Sequence, residues 1–234
     1  MITKERITEI LTERFLSKDT QSRLRPEEFK TLFNAAVRDF VPKFLEEYSD
    51  SAVYGISFEI GSVVQSVYYN NFNTYIYFNS EEEYGENIRE CDEEERDYYR
   101  FEPWAEWNVT NAESELFDRL RDYLELNTLC ECSAYSDHRD ALPEGAAEWF
   151  EENETEFDDA FDEECYLIRM WMAEVLGELR REGFWKGLGK DDMLVIPFGG
   201  EDDIEADEMI SAFEVMDAGA HNTEYTDYLR SSYS

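Results

Sequence analysis

The chain has 234 residues, with 21 Lys/Arg against 57 Asp/Glu for a formal net charge of −36, and 42% of it is hydrophobic and 15% aromatic. That apolar content suffices for a full core and excludes an acidic disordered tail, while the negative field argues against DNA, RNA or anionic membranes as direct partners and favours basic protein surfaces. The charge is unevenly placed: residues 1–50 hold 9 Lys/Arg and 10 Asp/Glu, leaving 12 against 47 in residues 51–234.

The N-terminus, MITKERITEI, alternates charged and apolar residues and lacks the apolar run of a signal peptide. No stretch approaches the roughly 20 apolar residues of a membrane span. A cytoplasmic protein is expected, with Cys91, Cys130, Cys132 and Cys165 reduced. Ile7, Ile10, Leu11 and Phe15 lie at helical spacing and predict an amphipathic helix over 4–16. A second helix begins at Pro26, with Glu27 and Glu28 in its first turn and a broad apolar face from Phe29 to Phe44; Pro42 should kink or shorten it.

From Ala52 the period changes to two, with Tyr54, Ile56, Phe58 and Ile60 alternating as a half-buried strand requires. Gly61-Ser62 reads as a two-residue hairpin loop, Val63–Tyr69 as the return strand and Thr74–Phe78 as a short third strand. An acidic block over 81–97 precedes the aromatic segment Tyr98–Trp107, which is expected to pack on the sheet. Thr110 with Glu113 suggests a capping box for a helix through Leu116, Leu120 and Leu124.

A second acidic block, Glu148–Glu164, is interrupted by Trp149, Phe150, Phe157 and Phe161, so it should be an ordered acidic surface with apolar anchors. It leads into a helix with a core face from Leu167 to Leu179, ended by Arg180, Arg181 and Gly183. Met193–Phe198 reads as a buried strand, at an edge because of Pro197, and the segment after Met216 as an irregular tail. The whole predicts one α+β domain: a small, mainly antiparallel sheet with helices packed on it, a near-neutral helical part over 1–50 and an acidic body over 51–215.

The order Val53–Phe58 after a long helix, then Pro103-Trp104-Ala105-Glu106-Trp107, then a helix ending in Leu179–Trp185, then Leu194-Val195-Ile196, resembles the bacterial family catalogued as domain of unknown function 4303 over roughly residues 26–215. The resemblance implies a place in toxin and immunity neighbourhoods and an antitoxin-like role. It implies no catalytic residue. The extreme acidity and the long acidic stretch of 148–164 depart from that family's pattern.

Reactive motifs are missing from the sequence. There is no Gly-x-Ser-x-Gly elbow, no phosphate-binding glycine loop and no calcium loop, and Cys130-x-Cys132 is not zinc-knuckle spacing. No cofactor and no metal site is expected. With 57 acids, a carboxylate pair at hydrolase spacing arises by chance, so a metal-assisted hydrolase using clustered carboxylates stands only as an alternative. The leading expectation is an inhibitory binding protein without enzymatic activity, an immunity protein or antitoxin whose acidic face covers a basic toxin such as a nuclease. The residues expected to contact the partner are Glu148, Glu151, Glu152, Glu154, Glu156, Asp158, Asp159 and Asp162, with Glu93, Glu94 and Glu95 from the first block. Trp149 and Phe157 are expected to add short-range affinity as anchors. The alternative with the same physics is a phage-type DNA mimic, recognisable by ordered rows of carboxylates.

Overall fold

Capping chemistry sets where the first element starts. In the computed structural model, which describes residues 3–62, 72–101, 107–129, 135–197, 206–216 and 220–232, Thr3 accepts the Arg6 N–H and opens helix α1 (Lys4–Ser17). Helix α2 (Pro26–Glu47) starts on its proline and buries Phe29, Phe33, Ala36, Val37, Val41 and Phe44. It runs through Pro42 instead of shortening there. Buried Val41 and Phe44 flank the proline and outweigh an intrinsic cost of about 3 kcal/mol.

Strands β1 (Val53–Ser62), β2 (Phe72–Ser80), β3 (Asn108–Asn111) and β4 (Leu194–Ile196) form one sheet in the order β3-β2-β1-β4. The β1/β2 and β2/β3 pairs are antiparallel and β1/β4 is parallel, so the fold is α+β with a small, mainly antiparallel sheet. Gly61 and Ser62 are not a hairpin loop. They pair with Asn73 and Phe72, and the expected return strand over 63–69 lies outside the described residues. The register follows hydrophobic matching: Ile56 faces Phe78 and Phe58 faces Ile76, which gathers four buried side chains on one side of the sheet. Phe33 of α2 meets Phe58 edge-on at 5.7 Å. Trp107 packs on the sheet as its segment should, so close to Gly55 that a Cβ there would lie 2.6 Å from the indole Cη2.

The first acidic block is helical at both ends. Helix α3 (Glu81–Asn87) is capped by Ser80 and helix α4 (Glu93–Phe101) follows. Helix α5 (Glu115–Asn127) is capped by Ser114, which accepts the Phe117 N–H, and not by the Thr110/Glu113 pair; Thr110 is taken by β3, where it pairs with Ile76. After the short helix α6 (Tyr135–His138) come α7 (Ala146–Glu152), α8 (Glu154–Arg181) and α9 (Phe184–Gly187), then β4 at the sheet edge with Pro197 just beyond it. The C-terminal segment is no irregular tail. Helices α10 (Ala206–Met216) and α11 (Ala220–Ser232) cover that end, because Tyr225 and Leu229, one turn apart, reach the core beside Phe101 and Phe213.

Packing divides into two clusters. The large one joins the sheet to α2, α5, the second half of α8, α10 and α11. The small one, Leu11, Leu129, Phe150 and Phe157, joins α1 to α7 and the first turns of α8. Within the large cluster α8 crosses α10 at Gly177, where a Cβ would lie 2.9 Å from the Met216 carbonyl oxygen. Gly177→Ala is expected to cost about 1 kcal/mol net, because the backbone clash exceeds the gain in helix propensity. Gly85→Ala, a helical site with nothing within 4 Å, is expected to gain a few tenths or more. Paired thermal melts of the two variants check this; equal stabilisation would show that α10 yields freely.

Candidate partner-binding surface

The acidic segment owes its order to its aromatic residues. Phe150 and Phe157 are buried at 5.6 Å from one another, and Trp149 stands edge-on to Phe157 at the same distance. They meet the apolar stripe of α1, where Leu11 is fully buried and Phe15 lies 6.0 Å from Trp149. Lys18 Nζ caps the aromatic group, 3.7 Å above Phe15 and 4.8 Å from Trp149. Two polar contacts complete the seat: Thr20 donates to Glu156 at 2.7 Å and Arg139 pairs with Glu151 at 3.3 Å. The near-neutral N-terminal part is therefore the platform on which the acid is mounted.

On that platform the carboxylates turn outward. Between 154 and 163 the exposed residues are Glu154, Thr155, Glu156, Asp158, Asp159, Asp162 and Glu163, so the solvent-facing arc is acidic except at Thr155. Glu154, Asp158 and Asp162 form one row at i, i+4, i+8, and Asp159 with Glu163 begins another, each step about 6 Å along the axis. Six carboxylates over about 15 Å of helix give one charge per roughly 2.5 Å, between the ~3.4 Å of one DNA strand and the ~1.7 Å of a duplex. Glu148, Glu151 and Glu152 of α7 extend the surface. Asp158, Asp159, Asp162 and Glu163 form no ion pair among the described residues, while Glu154 and Glu156 lie in the first turn, where the helix dipole favours negative charge.

The anchors occupy a different place from the one expected. Phe157 is 5% exposed and Trp149 only half-buried, so Phe157 holds the acidic helix to α1 and cannot meet a partner without leaving the core. The first acidic block is also put to structural use. Asp92 Oδ1 accepts the Glu95 N–H while Glu95 Oε2 accepts the Asp92 N–H, a reciprocal cap on α4. Glu93 and Glu94 share the same first turn. That block packs on α3 and α11, whereas α7 packs on α1, so the two acidic groups rest on different elements.

Two polar residues inside the apolar stripes escaped the sequence reading. Glu164 is 1% exposed and accepts the Leu129 N–H at 2.7 Å through Oε2, while Oε1 makes no hydrogen bond of good geometry among the described residues. Burial pushes its pKa up to about 6, against the pull of the Ser22 hydroxyl, the Leu129 amide and the Arg14 guanidinium. Arg14, also fully buried, donates to the carbonyls of Gln21 and Thr128. The signal was present: Glu164 falls seven residues after Phe157 and four before Ile168, on the stripe that faces inward. His138, buried at 6% exposure, shares a 2.8 Å hydrogen bond with the Thr8 hydroxyl, and burial holds its pKa below the ordinary value.

Among the described residues no three His, Cys, Asp or Glu side chains are grouped to hold a metal ion, and Cys91 and Cys165 are not joined in a disulfide; Cys130 and Cys132 lie outside the described residues. No helix is long and apolar enough to cross a membrane among the described residues. The chain matches no family model, no curated protein and no solved structure.

Proposed function

We propose that this protein is an inhibitory binding protein that lays the acidic arc of α7 and α8 into a cationic surface of a basic partner, a toxin or nuclease, and so covers the surface that would bind nucleic acid. The observation that carries this reading is the outward arc of carboxylates, interrupted over 154–163 only at Thr155, at a charge density close to that of nucleic acid and set on a helix pinned by its own aromatic residues. Long-range attraction then speeds encounter toward ~10⁸–10⁹ M⁻¹s⁻¹ at low salt. Because Phe157 is committed to the fold, short-range affinity falls to charge-assisted hydrogen bonds from partner arginines to the carboxylate rows.

The rows also favour the second reading, a DNA mimic that occupies the groove of a defence nuclease, since i, i+4 spacing presents charge at regular intervals along an axis. Both readings predict a basic partner that is released by salt. They separate on selectivity: a mimic binds several unrelated DNA-binding proteins in the order of their affinity for duplex DNA, whereas an immunity protein binds its one cognate toxin and leaves other basic DNA-binding proteins unbound.

The test uses the fourfold reversal Glu151→Lys, Glu152→Lys, Asp158→Lys and Asp159→Lys. Partner captured from lysate by the wild-type chain, once identified and purified, is expected to bind the reversed chain at least about tenfold more weakly at ~0.1 M salt, with a flatter salt dependence. Unchanged affinity, or a partner retained without loss as salt is raised, would refute the reading.

A further inference from the structure

A concave surface built from residues other than those of the acidic arc lies at the N-terminal end of α5. It is a groove of about 640 Å³ between the second half of α2 and the turn from β3 into α5. Phe40, Phe44 and Tyr48 form its floor, with successive ring centroids 5.8 and 4.8 Å apart, and Phe40 and Tyr48 keep part of their faces open. Asp39, Glu47, Glu113 and Glu115 stand along the walls, against one cation, Lys43, whose ammonium is held by Asp39 at 2.6 Å. Glu47, Glu113 and Glu115 are exposed and form no ion pair among the described residues.

We propose that this groove receives an arginine side chain from an extended basic segment of the partner, giving the complex a second point of attachment. Charge complementarity and the aromatic floor together select the occupant. Carboxylate walls alone would accept any cation, but a guanidinium also stacks flat on an aromatic ring, and it is less strongly hydrated than an ammonium. The side of α2 supplies the periodicity: Asp39, Lys43 and Glu47 line the wall at i, i+4, i+8, and Phe40, Phe44 and Tyr48 repeat the same spacing one residue on, which places ring and carboxylate side by side. An extended segment suits the groove because β3, the edge strand of the sheet, lines it through Thr110 and Asn111 and leaves Val109 55% exposed. The identity of the occupant rests on the proposed basic partner; the chemistry of the groove does not.

The experiment is NMR titration of the full-length isotope-labelled chain with a capped hexa-arginine peptide, with hexa-lysine and hexa-glutamate alongside, at about 0.15 M salt to screen distant charge. Amides of Phe40, Tyr48 and Ser114 are expected to shift and saturate with hexa-arginine, more weakly with hexa-lysine and not with hexa-glutamate. The triple variant Glu47→Gln, Glu113→Gln and Glu115→Gln is expected to weaken the groove response about tenfold while leaving shifts along α8 in place. The fourfold lysine reversal on α7 and α8 should do the opposite, so failure of the acidic arc and failure of the groove are separately visible. Shifts confined to α7 and α8, a groove response unchanged in the triple variant, or equal saturation by hexa-lysine would each overturn the proposal. All three glutamates are exposed, and an unchanged amide spectrum away from the groove confirms that the variant is folded.

Discussion

Phe157→Ala is expected to lower the unfolding free energy by about 3–5 kcal/mol, the range for emptying a buried phenylalanine site. Its ring is 5% exposed and touches both Trp149 and Phe150, and the cluster has only four fully buried members with which to absorb the cavity. Asp158→Asn, one residue away and exposed, should change stability by less than about 0.5 kcal/mol. Denaturant titration of both variants measures the contrast. If Phe157→Ala cost under 1 kcal/mol, the ring would not be packed, and the acidic helix would be held by something other than α1. Partner affinity should fall in Phe157→Ala as well, through loss of order in the arc instead of loss of a contact.

Glu164→Gln is expected to stabilise the protein by about 2 kcal/mol at pH 7.5, and the gain should vanish by pH 4.5. The pKa of Glu164 is raised from the ordinary 4.5 to about 6 by burial, so the folded state holds its proton more tightly than the unfolded chain does. The sign follows directly. Below pH 4.5 the carboxyl is protonated in both states; as the pH climbs through 6 the folded protein must bear a buried charge and loses stability relative to the variant. Many other carboxylates titrate over the same range, and His138, with its lowered pKa, works in the opposite direction. The difference between variant and wild type isolates Glu164. A difference constant from pH 4.5 to 7.5 would mean that Glu164 has the same pKa in the folded and unfolded states, and that burial does not raise it.

Much of the architecture was legible because hydrophobic period and capping residues agree. Helices over 4–17, 26–47 and 115–127, the strand from Val53 and the edge strand at Leu194 are written in spacing alone. The hairpin was misplaced at Gly61-Ser62 because a glycine beside a small polar residue is also compatible with a strand interior when cross-strand partners match, as Phe58 with Ile76 shows. The last helix was missed because its inward stripe is Tyr225, Tyr228 and Leu229 among polar neighbours, too narrow to register without knowing that Phe101 and Phe213 wait for it. The outward exposure of the acids in 148–163 follows from the sequence pattern, whereas the burial of Phe150 and Phe157 against α1 does not. Each stripe, Ile7 and Leu11 on one side and Phe150 and Phe157 on the other, lacked a visible partner until they were brought together. Glu164 and Arg14 were hidden in plain composition: among so many charges, the two that face inward differ only in phase.

The outward carboxylates of α8 have a consequence for how this chain can change over generations. Asp158, Asp159, Asp162 and Glu163 are exposed and have no ion pair among the described residues, so exchanging them alters neither core nor cap. Selection for stability is nearly silent at those positions and strict at the neighbouring Phe157, which is packed in the small cluster. A partner that shifts its basic residues can therefore be followed by substitution along the exposed arc alone, with the two-cluster body left as it is.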